Sequence, residues 1–215
     1  MPSCFHLSAV TAQVTFVKNK FAFEGRPSTV YQIIQTNLAA HQHTNTMNIR
    51  MQHASQYQFD SQQFRRALSQ FATGVTVITT VAEDGSFLGL TANSFNSLSL
   101  TPPLILWSLA NSASSMSTFS INSHYVINIL SHEQAILAQR FSQRLENRFE
   151  GVEFALSRTG CPVLADTVAW FECHNRSRYP EGDHVIFVGE VECFDVRPQP
   201  ALVYHGGQFG STRQS

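Results

Sequence analysis

Short apolar and β-branched segments, separated by turn residues, constrain the fold of this chain more than any other feature of its sequence. Residues 75–81 are rich in Val, Ile and Thr, which is typical of a strand. Glu83, Asp84 and Gly85 form a turn of hairpin size before residues 87–91 return as a second strand. About seven strands and three helices follow from the same pattern. It predicts an antiparallel barrel with helices packed outside, and not a doubly wound parallel sheet.

The stretch 89–107 carries no charge, although hydroxyl and amide side chains recur along it. Such side chains both donate and accept hydrogen bonds, and binding pockets place a few of them on a mostly apolar wall. The stretch therefore suits a site for a polar, flat and largely neutral ligand. An ordinary strand with a polar outer face has the same composition, so the residues alone leave both interpretations open. The polar side chains are Thr91, Asn93, Ser94, Asn96, Ser97, Ser99 and Thr101.

The charge balance argues against several classes of partner. The 215 residues include 14 basic and 15 acidic side chains, and the net charge is -1. This is neither the basic surface of a nucleic-acid-binding protein nor a basic run for a membrane surface. No apolar run approaches the length of a membrane span. We therefore expect no nucleic-acid partner and no membrane association.

Four cysteines are present, and no two have the CxxC spacing of a zinc ribbon or a thioredoxin-type site. Cys173 and Cys193 fall in predicted strands, so we expect both to be buried thiols. The histidines, His41 and His43 included, lack metal-ligand companions. We expect no metal site, and a reducing cytoplasm as the location.

Residues 1–57 differ in composition from the rest of the chain. They are rich in Gln, Asn, Thr and His, which cannot bury a large core. We expect this segment to be a disordered or non-native extension, with the natural start at Met47 or Met51. The domain itself is expected to occupy residues 58–215.

Three further places carry groups able to hold a ligand. Clustered serines open residues 111–123, where exposed amides and hydroxyls at a helix start suit a phosphate, although ordinary helix caps look the same. Arg148 is either a phosphate ligand or a plain surface arginine. His184 follows Gly182 and Asp183 at the mouth of a strand, where it orients a ligand or merely caps the turn. The nucleotide fingerprints GxGxxG and GxxxxGK[ST] and the nucleophile elbow GxSxG are absent.

Seven segments follow one another in a characteristic order: FRRALSQFATGVTVITT (64–80), GLTANSFNSLSLTPPL (89–104), VINIL (126–130), LAQRF (137–141), RFEGVEF (148–154), GDHVIFVGEV (182–191) and PALVYHGGQFG (200–210). Together they resemble the flavin reductase-like family, whose members are FMN-binding split-barrel proteins. The resemblance extends over residues 59–210, and residues 1–57 have no counterpart in it.

The resemblance implies a mainly β fold, a six-stranded antiparallel Greek-key split barrel with flanking helices. It implies a homodimer with one flavin per subunit. It also implies an NAD(P)H:flavin oxidoreductase, in which NADH or NADPH reduces a loosely held FMN or FAD. The reduced flavin then leaves for a partner flavin-dependent monooxygenase, such as those acting on 4-hydroxyphenylacetate.

The same resemblance implies roles for individual residues. One group matches the wall along the isoalloxazine ring and ribityl chain: Thr91, Ala92, Asn93, Ser94, Phe95 and Ser99. A second group matches the segment that holds the flavin phosphate, with Arg148 as a helper: Ala110, Ser114 and Ser115. His184 matches the histidine near the stacked nicotinamide and is the candidate catalytic residue. Residues 204–209 match a stretch near the cofactor.

Other functions are compatible with the same residues. A flavin-binding electron carrier on this fold would lack pyridine-nucleotide turnover, which His184 disfavours. A pyridoxamine-phosphate-oxidase-like protein would hold flavin phosphate with clustered Arg and Lys, whereas the segment here is rich in serine. A non-enzymatic interaction module would ignore added flavin.

Overall fold

The structure is a computed structural model that describes residues 60–212; the expected extension, residues 1–57, lies outside this part. The helices are α1 (Ser61–Leu68), α2 (Met116–Ile121) and α3 (Ala135–Ser142), with a 3-10 turn at His132–Gln134. The strands are β1 (Thr73–Gly74), β2 (Thr76–Val81), β3 (Phe87–Ala92), β4 (Asn96–Leu100), β5 (Pro103–Ala110), β6 (His124–Ile129), β7 (Phe154–Leu156), β8 (Pro162–Leu164), β9 (Ala169–Glu181), β10 (His184–Val196), β11 (Leu202–His205) and β12 (Gln208–Ser211). None of the helices within 60–212 has the length and apolar character needed to cross a membrane.

The main sheet contains seven antiparallel strands in the order β3-β2-β6-β9-β10-β5-β4. Its two edges are β3 and β4, yet only residues 93–95 join these strands along the chain. A link of that length spans at most about 14 Å, whereas the edges of a flat sheet of this size lie about 29 Å apart. The sheet therefore curls into a barrel, which confirms the predicted antiparallel architecture. It has one strand more than the six that the resemblance implied, because β4 and β5 pair as separate strands.

Alternation along β2 supplies two hydrophobic cores on the two sides of the sheet. Ile78 belongs to the core inside the barrel, where the rings of Trp107 and Phe187 stack with centroids 4.6 Å apart. Val77 points the other way and joins Phe141 of α3 in an outer core. This outer core holds α3 against the barrel.

Residues 202–211 form a hairpin of β11 and β12, although the glycines at 206, 207 and 210 would by themselves predict a flexible segment. Gly206 and Gly207 have φ values of 58° and 85°. A two-residue hairpin turn of type I′ requires positive φ at both positions, which glycine adopts at little cost. β1 pairs with β11, with Thr73 opposite Tyr204, so this C-terminal hairpin lies beside the segment that follows α1.

Asp60, a residue type that favours the N-cap position, caps helix α1, and its side chain accepts a hydrogen bond of 2.8 Å from the N–H of Gln62. The helix buries none of its side chains, and its apolar Leu68 is 58% exposed. At its C-terminal end the carbonyl of Ser69 accepts a hydrogen bond of 2.8 Å from the N–H of Gly206. The cap and the C-terminal hairpin, more than core packing, hold α1 in place.

Helical spacing in the sequence predicts Ile121 and Ile136 on inward faces, and Cys193 was expected to be buried, but all three side chains are exposed. Ile121 and Ile136 lie off the narrow buried sides of α2 and α3, because each residue turns the helix by about 100°, and the fully buried side chains of these helices are Phe119, Ala138 and Phe141. Cys193 is an exposed thiol, whereas Cys173 is buried as expected. The reason is that β10 beyond Glu190 has no partner in β5. Ser131 and Gln134 have the sequence spacing of a capping box, and the bond of 2.9 Å from the Ser131 N–H to Gln134 Oε1 confirms this box before α3.

Candidate functional site

The link between β3 and β4, residues 93–95, closes the barrel and carries three of the predicted site residues. The Ser94 hydroxyl donates to the carbonyl of Ser108 at 3.1 Å and accepts from its N–H at 3.0 Å. Ser108 lies in β5, so this hydroxyl ties the two edges of the sheet together. Asn93 is exposed, and its side chain makes no hydrogen bond within residues 60–212. Asn93 therefore offers a ligand the polar group that Ser94 does not.

Thr91, Ala92 and Phe95 flank the link and face different parts of the fold. The Thr91 hydroxyl donates to the carbonyl of Ala138 in α3 at 2.6 Å. Ala92 is buried in the inner core. The ring of Phe95 stacks on Phe171, with centroids 5.9 Å apart. These residues shape the wall, but their contacts here are with the protein.

His184 lies at the tip of the β9–β10 hairpin, two residues after Gly182, whose φ is 59°. Its Nδ1 is 2.7 Å from the Asp183 carboxylate. That hydrogen bond and the charge of His184 lower the pKa of the Asp183 carboxyl, with a further contribution from Arg65. A carboxylate bound at Nδ1 orients an imidazole ring and leaves its Nε2 free to meet a ligand.

Ala110 pairs with His184 across β5 and β10, so the start of the predicted phosphate segment lies at the hairpin tip. The N–H of Asn111 donates to the carbonyl of Asp183 at 2.9 Å. Ser114 is exposed, while Ser115 is only 6% exposed and its side chain does not cap α2. Ser108 is two residues from Ala110, or about 7 Å along the strand. The link 93–95 and the hairpin tip therefore lie at the same end of the barrel.

Arg148 and Ser99 are placed elsewhere. Arg148 donates from Nη1 to the carbonyl of Gly89 at 2.7 Å and from Nε to the carbonyl of Gln143 at 2.7 Å. It thereby anchors the loop after α3 to β3. Ser99 pairs with Leu104, four residues or about 13 Å along β5 from Ser108. Their roles as flavin contacts stay predictions.

Two open cavities meet at Asn93, Tyr204 and Gly207. One, of about 410 Å³, lies between the end of β3, α3 and the C-terminal hairpin. The other, of about 510 Å³, lies between α1, Asn93 and the same hairpin. We call them the neutral cavity and the basic cavity, because Arg65 and Arg66 line the second. The C-terminal segment that the resemblance placed near the cofactor therefore borders both.

The chemistry of the neutral cavity fits a flavin ring. Its described lining residues carry no formal charge at neutral pH, and they include the amides of Asn93 and Gln139. The rings of Tyr204 and Phe209, 5.5 Å apart, supply apolar surface. Flat ligands with a polar edge bind in cavities of this kind and size.

Arg65 and Arg66 are the residues of this region that sequence reasoning missed. Both are exposed on α1, and neither forms an ion pair with a carboxylate in the part of the chain that the structure describes. The available signal was a pair of adjacent arginines in a helix whose other side chains are neutral. A sequence pattern does not show that this helix borders Asn93.

Comparison with known proteins identifies the family. A family model described as flavin reductase like domain matches residues 68–213. The chain belongs to this family. The flavin reductase like domain thus includes β1 to β12, the link 93–95 and the hairpin tip, whereas Arg65 and Arg66 precede the matched residues.

Curated relatives agree with this assignment. Over 151 residues the flavin reductase like domain is 42% identical to the FMN reductase (NADH) SmoA of Agrobacterium fabrum, covering 70% of this chain and 86% of that protein. It is 39% identical over 153 residues to the reductase component of a flavin-dependent trigonelline monooxygenase from Acinetobacter baylyi, covering 71% of this chain and 49% of that protein. The chain therefore spans about half the length of some relatives and most of the length of others.

A solved structure shows the same fold. The NADH:FAD oxidoreductase of Streptomyces globisporus, determined in complex with NAD and FAD fragments, superposes with a TM-score of 0.68 at 34% identity. The match covers 73% of this chain and 93% of that one.

Proposed function

We propose that this protein is an NAD(P)H:flavin oxidoreductase that transfers electrons from NADH or NADPH to FMN or FAD and supplies the reduced flavin to a partner monooxygenase. The observation that carries the proposal is the 42% identity to an FMN reductase (NADH) over 86% of that relative's length. The neutral cavity beside Asn93 supports it, because its residues fit a flavin.

The residues of the neutral cavity would hold the flavin by weak contacts. Asn93 and Gln139 would bind the polar edge of the ring, and Tyr204 and Phe209 would cover its apolar part. Bound flavin would supply the two-electron chemistry, so the chain need only orient the reactants and exclude water. No charged side chain lines the cavity among the described residues. We therefore expect a flavin that exchanges readily, as delivery to a second protein requires.

His184 is proposed to position the nicotinamide of the co-substrate. Asp183 fixes its ring through the 2.7 Å contact at Nδ1, which leaves Nε2 directed at the ligand. In this role His184 touches the substrate but needs no proton transfer.

A monooxygenase partner and a homodimer belong to the same proposal. The partner is supported by a relative named as the reductase component of a monooxygenase. The dimer is supported by large apolar side chains that the sheet exposes, among them Leu100 at 93% and Phe194 at 64%. A reducing cytoplasm is the proposed compartment, because Cys161, Cys173 and Cys193 are free thiols.

The test is NADH consumption by the purified protein in air, measured without flavin and with excess FMN or FAD. The expected result is consumption that depends on added flavin, saturates with it and yields peroxide. Repeating the assay with NADPH identifies the preferred donor.

The alternative outcomes are distinct. Flavin binding without consumption would replace the reductase by an electron carrier. Neither binding nor consumption would mean that the family resemblance reports the fold alone.

A further inference from the structure

The basic cavity differs from the neutral cavity in charge. Arg65 and Arg66 lie on its wall together with Asn93 and Tyr204, and no Asp or Glu is among its described lining residues. Neither guanidinium is paired with a carboxylate within residues 60–212. Arginine presents a planar fork of donors that matches phosphate oxygens, and it binds them without first breaking an ion pair. The cavity therefore suits a phosphate group.

The wall that carries the arginines is fixed at both ends. Asp60 caps the start of α1, and the Ser69 carbonyl after its end is bound by Gly206, which also lines the cavity. The Thr73 hydroxyl oxygen, on the same wall, is buried and has no hydrogen-bond partner among residues 60–212. Two arginines at the end of a capped and tethered helix form a more ordered site than two surface arginines on a loop.

The basic cavity also adjoins the end of the barrel where the candidate site lies. It shares Asn93, Tyr204 and Gly207 with the neutral cavity. Arg65 is near enough to Asp183, the neighbour of His184, for its charge to contribute to the lowered pKa of that carboxyl. A ligand with its ring at Asn93 can therefore place a phosphate at α1.

We infer that Arg65 and Arg66 form a subsite for the phosphate or diphosphate of a nucleotide whose ring lies at Asn93. The uncharged residues around Asn93 would bind the ring, and the guanidinium groups of Arg65 and Arg66 would bind the phosphate oxygens. The phosphate belongs either to NADH or to the flavin, and the chemistry of recognition is the same for both. The inference rests on the proposed flavin reductase function and assigns to α1 the anion-binding role that the sequence suggested for Arg148.

The test compares the wild type with Arg65→Gln, Arg66→Gln and the double variant in the full chain. Gln keeps helix propensity and removes the charge, and α1 buries no side chain, so the variants should fold; circular dichroism checks this. Arg197→Gln is the matched control, since Arg197 is also exposed and lies past the far end of β10. Binding of FMN and of riboflavin, which lacks the phosphate, is measured by fluorescence. Kinetics are measured with NADH and with 1-benzyl-1,4-dihydronicotinamide, a donor without phosphate.

If the subsite holds NADH, the double variant should raise the KM for NADH by about tenfold or more, as loss of charge-assisted hydrogen bonds predicts, and should affect the phosphate-free donor far less. If it holds the flavin, the Kd for FMN should rise by a similar factor and that for riboflavin should not. In either case inorganic pyrophosphate should compete with the affected ligand in the wild type and much less in the double variant. Arg197→Gln should behave as the wild type.

Unchanged NADH and FMN constants in the double variant would overturn the inference. A wild type that binds FMN but does not oxidise NADH would overturn the proposed function instead. The flavin-binding and pyrophosphate-competition measurements would still test whether Arg65 and Arg66 bind a phosphate.

Discussion

Asn93 and Ser94 are neighbours in the link between β3 and β4, but the structure gives them different tasks. Asn93→Ala should raise the Kd for FMN several-fold, because it removes the exposed amide, and should change the free energy of unfolding by less than about 0.5 kcal/mol. Ser94→Ala should cost about 1–3 kcal/mol of stability, because both backbone groups of Ser108 lose their partner. Urea unfolding and flavin fluorescence measure the two effects.

Asn96→Ala is the control for that pair, since Asn96 is exposed in β4 and makes no side-chain hydrogen bond in the described part. An Asn93→Ala protein with unaltered FMN affinity would contradict the assignment of the neutral cavity. A Ser94→Ala protein of wild-type stability would contradict the role of this hydroxyl in closing the barrel.

Glu172 is a buried carboxylate whose ionisation stabilises the fold. It is 1% exposed, and it accepts hydrogen bonds from the N–H and hydroxyl of Thr159 at 2.8 and 2.6 Å. Burial raises its pKa, but these bonds and the charge of Arg158 outweigh burial and hold the pKa below its ordinary value of 4.5. A depressed pKa means that its contribution is complete above this value and disappears as the pH falls through the lower folded pKa.

Glu172→Gln should therefore lower stability at neutral pH by about 1–3 kcal/mol and flatten the acid part of the stability curve. The free energy of unfolding, measured from about pH 3 to pH 7, tests both. Glu150→Gln, at an exposed position, should leave the curve as it is. An acid limb of the same slope in Glu172→Gln and wild type would show that other groups control acid unfolding.

At the scale of elements, α1 depends on its ends. Asp60→Ala should destabilise the helix by about 1 kcal/mol through loss of the N-cap. The unfolding midpoint of the whole domain should change little, because α1 buries no side chain. Faster amide hydrogen exchange within 61–68 would report the fraying directly. If Arg65 and Arg66 bind NADH, the KM for NADH should rise together with the exchange rate.

Ser61→Ala is the control for the cap, because it removes an adjacent hydroxyl that makes no hydrogen bond to the helix backbone within residues 60–212. Equal exchange rates in Asp60→Ala and wild type would mean that the tether between Ser69 and Gly206 is sufficient to order α1.

At the scale of the whole molecule, the proposed homodimer implies an apolar interface, in which a charged substitution should prevent association. Leu100→Asp should shift the mass measured by light scattering from that of a dimer to that of a monomer, because Leu100 is 93% exposed in the single chain. Ile136→Asp, at an 81% exposed position on α3, should remain a dimer. A wild type that is monomeric at micromolar concentration would remove the homodimer from the proposal.

The sequence by itself determined the antiparallel strands, the helix caps and the family. These depend on local patterns: β-branched runs at 75–81, the turn at 83–85, the Asp60 cap and the Ser131 capping box all act within a few residues. Order along the chain was also enough for the GDH segment, which places His184 directly after a tight turn.

The tertiary structure decided which of the predicted polar groups remain available to a ligand. In the sequence, the hydroxyls of Thr91 and Ser94 look as available to a ligand as those of any binding residue. In the structure, docking of α3 pairs the Thr91 hydroxyl with the Ala138 carbonyl, and closure of the barrel pairs the Ser94 hydroxyl with Ser108. Arg148 is likewise engaged with backbone, while Arg65 and Arg66 border the cavity because the C-terminal hairpin brings α1 to Asn93. Such contacts join residues far apart in the chain, and a periodicity within one segment carries no information about them.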